Sequence, residues 1–404
     1  MTEQLQLTFT KFLKDAYILV EGDKEADSFF IIREGKVHIS REVQVVAEER
    51  GNVLGPGDFF AVVSTMSGHS QIETARAITD VVLISIHRDQ FSQLIKNNAP
   101  VAKKILLQFS KRMRYLNDSL TRITLKKNAD VNVEHLFAVA EYYNRQKQFN
   151  PAYYAYSQYL HHCPDGDNAR MAQEHLRRIT SYAKAARMEN KTDEMIRMYP
   201  KEAMIFAEGE PGEEIFVIKN GLVKIAKVVD DGEMVLAILK AGDIFGEMAL
   251  LDSSPRNANA MAFEDCQLMV VNKDNFQQMI TTQPQLISRL TTILAERIWL
   301  AYKQLANTRI FDPLGRMYDM LYIQLEKKRV DFNTKRTYLD FGIKELIGMI
   351  GLPPNEGSAE IQKLLQNRYI EIVQNKICID NVLEFSRQAM YYRKMQEGDS
   401  RRRR

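Results

Sequence analysis

The stretch Gly242–Ala260, GDIFGEMALLDSSPRNANA, concentrates the residues best suited to chemistry in this chain. A Gly-Asp turn leads into Phe245-Gly246-Glu247, a short apolar helical turn follows through Leu251, and Arg256 comes nine positions after Glu247. Gly246 has no Cβ, so backbone at that point can approach a ligand closely. The N–H groups that open the following turn point at an anion, as helix N-termini do. Arg256 can fork onto phosphate oxygens in bidentate fashion, and Glu247 can accept a sugar hydroxyl. Together they suit a small cyclic phosphate. The same Glu247 and Arg256 also fit a plain structural ion pair.

An internal repeat supplies the elements that must position this stretch. Residues Ile18–Ile39 read ILVEGDKEADSFFIIREGKVHI and residues Ile205–Ile225 read IFAEGEPGEEIFVIKNGLVKI. Gly22, Gly35 and Gly57 match Gly209, Gly221 and Gly242 at offsets of 187, 186 and 185. A near-constant offset points to duplication of one domain. Short β-type runs separated by glycine turns predict an antiparallel β-roll or jelly roll for each copy. The copies differ where the chemistry lies. In the first, GDFFAVVSTMSGHSQIETA puts Ala61, Val62 and Gln71 where the second has Gly246, Glu247 and Arg256. Nothing there neutralises a cyclic phosphate, and His69 reads as a solvated loop histidine. The first roll is expected to be a structural or interaction module.

Between the rolls, residues 128–182 read as helical. A 34-residue window with Leu136, Val139, Ala140, Tyr143, Ala152, Tyr156, Tyr159 and Pro164 follows a tetratricopeptide-like pattern. A single repeat cannot bury a continuous core, so it must pack on a roll or on a protein partner. A two-helix linker with a tyrosine-rich core face fits equally well. His161-His162-Cys163 matches no zinc-ligand spacing.

Residues 284–310 carry a long helical pattern with Leu290, Leu294, Ile298, Ala301 and Leu305 on one stripe. That stripe suits packing on the helix's own roll or on its twin in a homodimer. Another amphipathic helix spans 315–328. A short helix then ends at Gly351, and a second is predicted over 355–367, in the order of a helix-turn-helix. Tyr369–Val373 and Ile377–Ile379 flank a turn as a wing hairpin. The segment from Pro313 holds 17 Lys and Arg against 12 Asp and Glu, but four of the cations are the terminal Arg401–Arg404. Its folded part is nearly neutral, which weakens a purely electrostatic case for nucleic acid. The terminal arginines read as a disordered tail.

The order Gly-Glu, Leu-Leu, Pro-Arg-x-Ala resembles the phosphate-binding cassette of cyclic-nucleotide-binding domains. Roll, long helix and helix-turn-helix together resemble bacterial regulators of the cyclic-AMP receptor protein and fumarate-nitrate regulator family over residues 195–385. The first roll and the helical segment are additions to that plan. The resemblance implies an α+β multidomain fold of two β-rolls, a helical linker and a C-terminal winged helix-turn-helix. Its boundaries are residues 1–125, 126–185, 186–285, 286–312, 313–395 and 396–404. It implies a cyclic mononucleotide, cyclic AMP or cyclic GMP, held by Gly246, Glu247, Met248, Arg256, Asn257, Ala258 and Tyr302. It implies DNA as a partner; in the predicted second helix and wing, Asn355, Ser358 and Gln362 can contact bases, and Lys363, Arg368 and Lys376 can contact phosphates.

The chain departs from the family at telling points. Asn257 follows the cassette arginine, Ala301 and Tyr302 stand where cyclic-AMP binders place Thr-Ser, and Pro354, Asn355 and Ala359 replace the usual base readers. Asn355 also serves as a helix N-cap after two prolines. A signalling scaffold that senses a nucleotide and acts through protein contacts is therefore a second expectation.

Length alone, 404 residues, implies more than one domain. Three scattered cysteines form no framework, the start lacks a signal-peptide pattern, and no run spans a bilayer. A cytoplasmic location and no metal are expected. No nucleophile elbow, P-loop or H-E-x-x-H motif is present, so the chain does not read as an enzyme.

Overall fold

The computed structural model describes residues 8–41, 52–125, 133–183, 195–229, 232–352 and 358–402. In chain order the helices are α1 (Val62–Ser67), α2 (Phe91–Asn97), α3 (Ala99–Leu125), α4 (His135–Arg145), α5 (Phe149–His162) and α6 (Ala169–Ile179). They continue as α7 (Glu247–Asp252), α8 (Lys273–Thr282), α9 (Pro284–Asn307), α10 (Pro313–Lys327), α11 (Ile343–Ile350), α12 (Ser358–Leu365) and α13 (Val382–Arg402).

Two compact units emerge, and they do not follow the chain simply. One joins residues 1–119 to residues 274–306, and the other joins 120–273 to 307–404. Each contains one roll of two four-stranded antiparallel sheets. In the first unit, one sheet runs Thr8–Phe12, Val81–His87, Ser28–Glu34, Phe59–Phe60, and the other Tyr17–Leu19, Thr74–Ala77, Val37–Ser40, Val53–Leu54. The second unit repeats that order. Ile196–Tyr199, Cys266–Asn272, Glu214–Asn220 and Ile244–Phe245 form one sheet, and Met204–Phe206, Asn259–Ala262, Val223–Val229 and Gly232–Leu239 the other. The duplication read from glycine offsets is thus a duplication of strand order.

α9 belongs to the first unit. Its stripe of Leu290, Leu294, Ile298, Ala301 and Leu305 is buried throughout. Trp299 is buried as well, stacked on His69 at 4.0 Å between ring centroids. The expectation of a solvated His69 is corrected: the indole covers the imidazole and only 9% of it is exposed.

In the second unit, α4, α5 and α6 pack onto the roll instead of standing alone. Tyr143, Tyr156 and Tyr159 are fully buried and share a cluster with Met204, Ala207, Val228 and Met261 of the roll. Their hydroxyls find partners, as buried phenols must: Tyr143 donates to Glu233 at 3.1 Å and Tyr159 to Glu134 at 3.1 Å. α10, α11 and α12 close a further core with the three-stranded sheet Arg336–Tyr338, Lys376–Asp380, Ile370–Val373. Leu222, Val235 and Ile238 of the roll join that core. α11 stops at Gly351 (φ 63°), an αL residue as expected for a helix C-cap. The helix α13 continues to Arg402, which corrects the expectation of a disordered tail there. No helix among the described residues is long and apolar enough to cross a membrane.

Candidate functional site

The site is built on a left-handed turn. Gly246 (φ 82°) ends the strand Ile244–Phe245 and caps α7, whose first residue is Glu247. A Cβ at Gly246 would lie 2.8 Å from Nη1 of Arg256 and 3.1 Å from the Glu214 carbonyl oxygen. At Gly212 it would meet Arg256 Nε at 2.6 Å. Both glycines are therefore space for one guanidinium. Arg256 donates from Nη1 to the Gly246 carbonyl at 2.7 Å and from Nη2 to the Glu214 carbonyl at 2.9 Å. Its Cζ lies 4.2 Å from the centre of the Phe206 ring. Nε is buried and has no hydrogen-bond partner among the described residues. Glu247, Asn257 and Ala258 are buried beside it, while Met248 is half-buried. A fixed, desolvated cation next to a buried carboxylate at a bare backbone turn fits an anionic sugar phosphate.

Carboxylates surround the guanidinium. Glu210 takes the Ala207 amide at 3.0 Å and the Tyr154 hydroxyl of α5 at 3.1 and 3.2 Å. Burial pushes the Glu210 carboxyl up to about 7, although the Ala207 amide, Arg256 and Tyr154 all pull it down. Burial likewise draws Arg256 below its ordinary value, opposed by Glu210, Tyr154, Glu214 and Glu247. Glu214 is occupied by Arg197 in a two-pronged pair at 2.9 and 2.7 Å.

A second buried pair backs the cassette. Lys227 Nζ lies 2.7 Å from Glu208 and donates to the Asn257 carbonyl at 3.0 Å. His135, at the start of α4, stands 3.6 Å from the same carboxylate. The helical segment is thus tied to the residue that follows Arg256.

The Glu210 shift gives a pH prediction. A carboxyl whose folded-state value lies above its unfolded 4.5 stabilises the fold most at low pH. That contribution is lost as pH rises from 4.5 through about 7. Glu210→Gln should remove this slope, worth on the order of 3 kcal/mol. Urea midpoints measured across that range check it, and a slope that persists in Glu210→Gln contradicts the assignment.

Of the residues expected to hold a ligand, Gly246, Glu247, Met248, Arg256, Asn257 and Ala258 lie together in the second unit. Tyr302 belongs to the first unit, where its hydroxyl accepts from Arg112 Nε at 2.9 Å. Among the residues expected at DNA, Asn355 lies outside the described residues, and Ser358 opens α12. Gln362, Lys363 and Arg368 are exposed, and Lys376 pairs with Glu264 at 3.0 Å. Glu210, Gly212, Glu208, Lys227 and Tyr154 were not singled out by sequence. The acidic loop EGEPGEE was visible, but nothing in the local pattern links Tyr154 or Lys227 to it. No group of three metal-ligating side chains comes together among the described residues.

Comparison with known proteins finds matches to both rolls. The cyclic nucleotide-binding domain family matches residues 9–98 and 196–283. A CRP-like cAMP-activated global transcriptional regulator of Mycobacterium tuberculosis is 26% identical over 197 residues, 47% of this chain and 86% of that protein. A cyclic AMP receptor protein of Thermus thermophilus is 34% identical over 103 residues, 25% of this chain and 48% of its own. Among solved structures, the c-di-GMP-responsive global regulator of Xanthomonas campestris aligns with a TM-score of 0.40 and 20% identity. That alignment covers 46% of this chain and 93% of its own. By strand order, the family match and the sequence relatives, the chain carries two cyclic nucleotide-binding domains and resembles the regulators of the CRP/FNR family.

Proposed function

We propose that the chain is a cyclic-nucleotide-responsive transcription regulator and not an enzyme. A cyclic mononucleotide binds the second roll at Gly246, Glu247, Met248, Arg256, Asn257 and Ala258. DNA binds a winged helix-turn-helix formed by α11, α12 and the hairpin Ile370–Val373 with Lys376–Asp380. The observation that carries this reading is the buried Arg256, pinned by two backbone carbonyls beside Glu247 at the Gly246 turn. The cAMP-activated relatives support it.

The roll and the DNA-facing part have a physical route for coupling. A Cβ at Gly348 of α11 would lie 2.6 Å from the Val235 side chain, so helix and roll are in close contact. Lys376 is held by Glu264, with both side chains more than a third exposed. Such a pair is worth about 0–1 kcal/mol, so a DNA phosphate can displace it. A ligand that shifts this contact needs only about 1–3 kcal/mol of coupling to change DNA affinity roughly 5–150-fold.

Mobility shift on the protein's own promoter, with and without cyclic AMP or cyclic GMP and at several salt concentrations, tests the reading. Sequence-selective binding that strengthens with nucleotide is expected. Weak, salt-sensitive binding without sequence preference favours the signalling-scaffold alternative. The pairing of Lys376 with Glu264 is the observation on that side.

A further inference from the structure

The first roll lacks the residues for a cyclic phosphate, yet it keeps the backbone that would receive one. Ala61, at the position of Gly246, retains the left-handed conformation (φ 65°, ψ 0°) and caps α1 as Gly246 caps α7. For an alanine this costs about 1–2 kcal/mol. The surrounding bonds are duplicated too. Gly22 N–H donates to the Gln71 carbonyl at 2.8 Å and Gln71 N–H to the Asp23 carbonyl at 2.7 Å. In the second roll, Gly209 donates to Arg256 at 2.9 Å and Arg256 to Glu210 at 2.8 Å. A strained turn has been preserved without its ligand-binding side chains.

Within that turn lies a carboxylate. Glu73 is 4% exposed. One oxygen takes the Ala61 amide at 2.8 Å, and the other takes Nη2 of Arg41 at 2.7 Å. Nη2 of Arg112, from α3, stands 3.5 Å from the same oxygen. Burial alone would raise the Glu73 carboxyl, but Arg41, Arg112 and the Ala61 amide hold it down at about 2. An aromatic cover from α9 completes the arrangement. The Tyr302 ring lies 4.8 Å from the Arg112 guanidinium carbon and 5.4 Å from that of Arg41. Trp299, one turn earlier, stacks on His69 at 4.0 Å with planes 18° apart.

We propose that Glu73 is a built-in ligand. Its carboxylate fills an anion site formed by Ala61, Arg41 and Arg112, and this self-liganded roll clamps α9 through Tyr302 and Trp299. The first roll therefore does not respond to a nucleotide, and it holds the long helix in place permanently. Once Glu73 is removed, the site takes a small carboxylate or phosphate from solution. The proposal is independent of what the second roll binds.

Chemical rescue tests it, and the protein's single tryptophan, Trp299, reports the site. Glu73→Ala in the full chain should lower Tm and shift Trp299 emission to the red. Formate, acetate or inorganic phosphate should restore both saturably, beyond any effect of chloride at matched ionic strength. Wild type should show no such response, because its site is already filled. A folded Glu73→Ala protein with no saturable anion response overturns the proposal, since loss of mere packing is not repaired by an anion. So does a wild type that responds equally. Should Glu73→Ala fail to fold, Glu73→Gln keeps the volume and an acceptor for Ala61 but removes the charge from Arg41 and Arg112. A red shift of Trp299 emission is then expected, and emission unchanged from wild type overturns the proposal.

Discussion

Replacing Arg256 with alanine is expected to weaken binding of cyclic AMP or cyclic GMP by about 100-fold. Hydrogen bonds to a charged group contribute about 1.5–3 kcal/mol each, and tenfold in affinity corresponds to about 1.4 kcal/mol. The phosphate contact is not the only loss. Arg256 also joins the Gly246 carbonyl to the Glu214 carbonyl, so its removal loosens the turn that carries Glu247. Arg256→Lys should recover little, because an ammonium cannot bridge two carbonyls and a phosphate with the geometry of a planar fork. Gln71→Ala, at the matching position of the first roll, should leave affinity unchanged. Calorimetry on the three variants, with thermal unfolding as a control for folding, decides the matter. Undiminished binding by Arg256→Ala would remove the phosphate contact from the proposed function.

Lys227→Met should destabilise the second unit strongly. Glu208 is fully buried, and so is Lys227. Burial by itself would raise the Glu208 carboxyl, but Lys227 and His135 outweigh it and hold the group charged. Removing one partner of such a pair leaves an uncompensated charge in the interior, at a cost of about 3–5 kcal/mol. The double change Lys227→Met with Glu208→Gln should restore most of that loss, because no charge is then stranded. Urea unfolding of both variants checks the expectation. A cost below about 1 kcal/mol for Lys227→Met would mean that the pair behaves like an exposed one. The Asn257 carbonyl also loses its donor in this variant, so nucleotide affinity should fall with stability.

The pair also explains why part of the site was illegible in the sequence. Lys227 sits in a strand whose alternation looks like that of a half-solvated roll, and a lysine there reads as an exposed face. It is buried because α4 and α5 cover the roll, and a buried lysine must then find a carboxylate. Tyr154 reached Glu210 by the same docking of α5, across 56 positions of sequence. His69 looked like a loop residue for a similar reason, since only the arrival of Trp299 from 230 positions away makes it a stacking partner.

Elements with a strong local signal were read closely. α10 and the αL stop at Gly351 fall at or near their expected positions, as does the hairpin Ile370–Val373 with Lys376–Asp380. α9 has its expected buried stripe, although it packs in the first unit together with residues 1–119. A stripe specifies that a helix must be covered and leaves open which surface covers it.

By itself, the sequence determined the duplicated roll, its glycine turns and the asymmetry between the two cassettes. The duplication shows in a near-constant offset between matching glycines, and the asymmetry lies within about twenty residues, where glycine, glutamate and arginine of one copy face alanine, valine and glutamine of the other. Tertiary structure alone decided which charges face each other inside: Glu210 with Tyr154 beside Arg256, Lys227 with Glu208, and Glu73 with Arg41 and Arg112. Those pairings follow from desolvation, which acts only after distant elements have packed and made an unpaired charge too costly to leave.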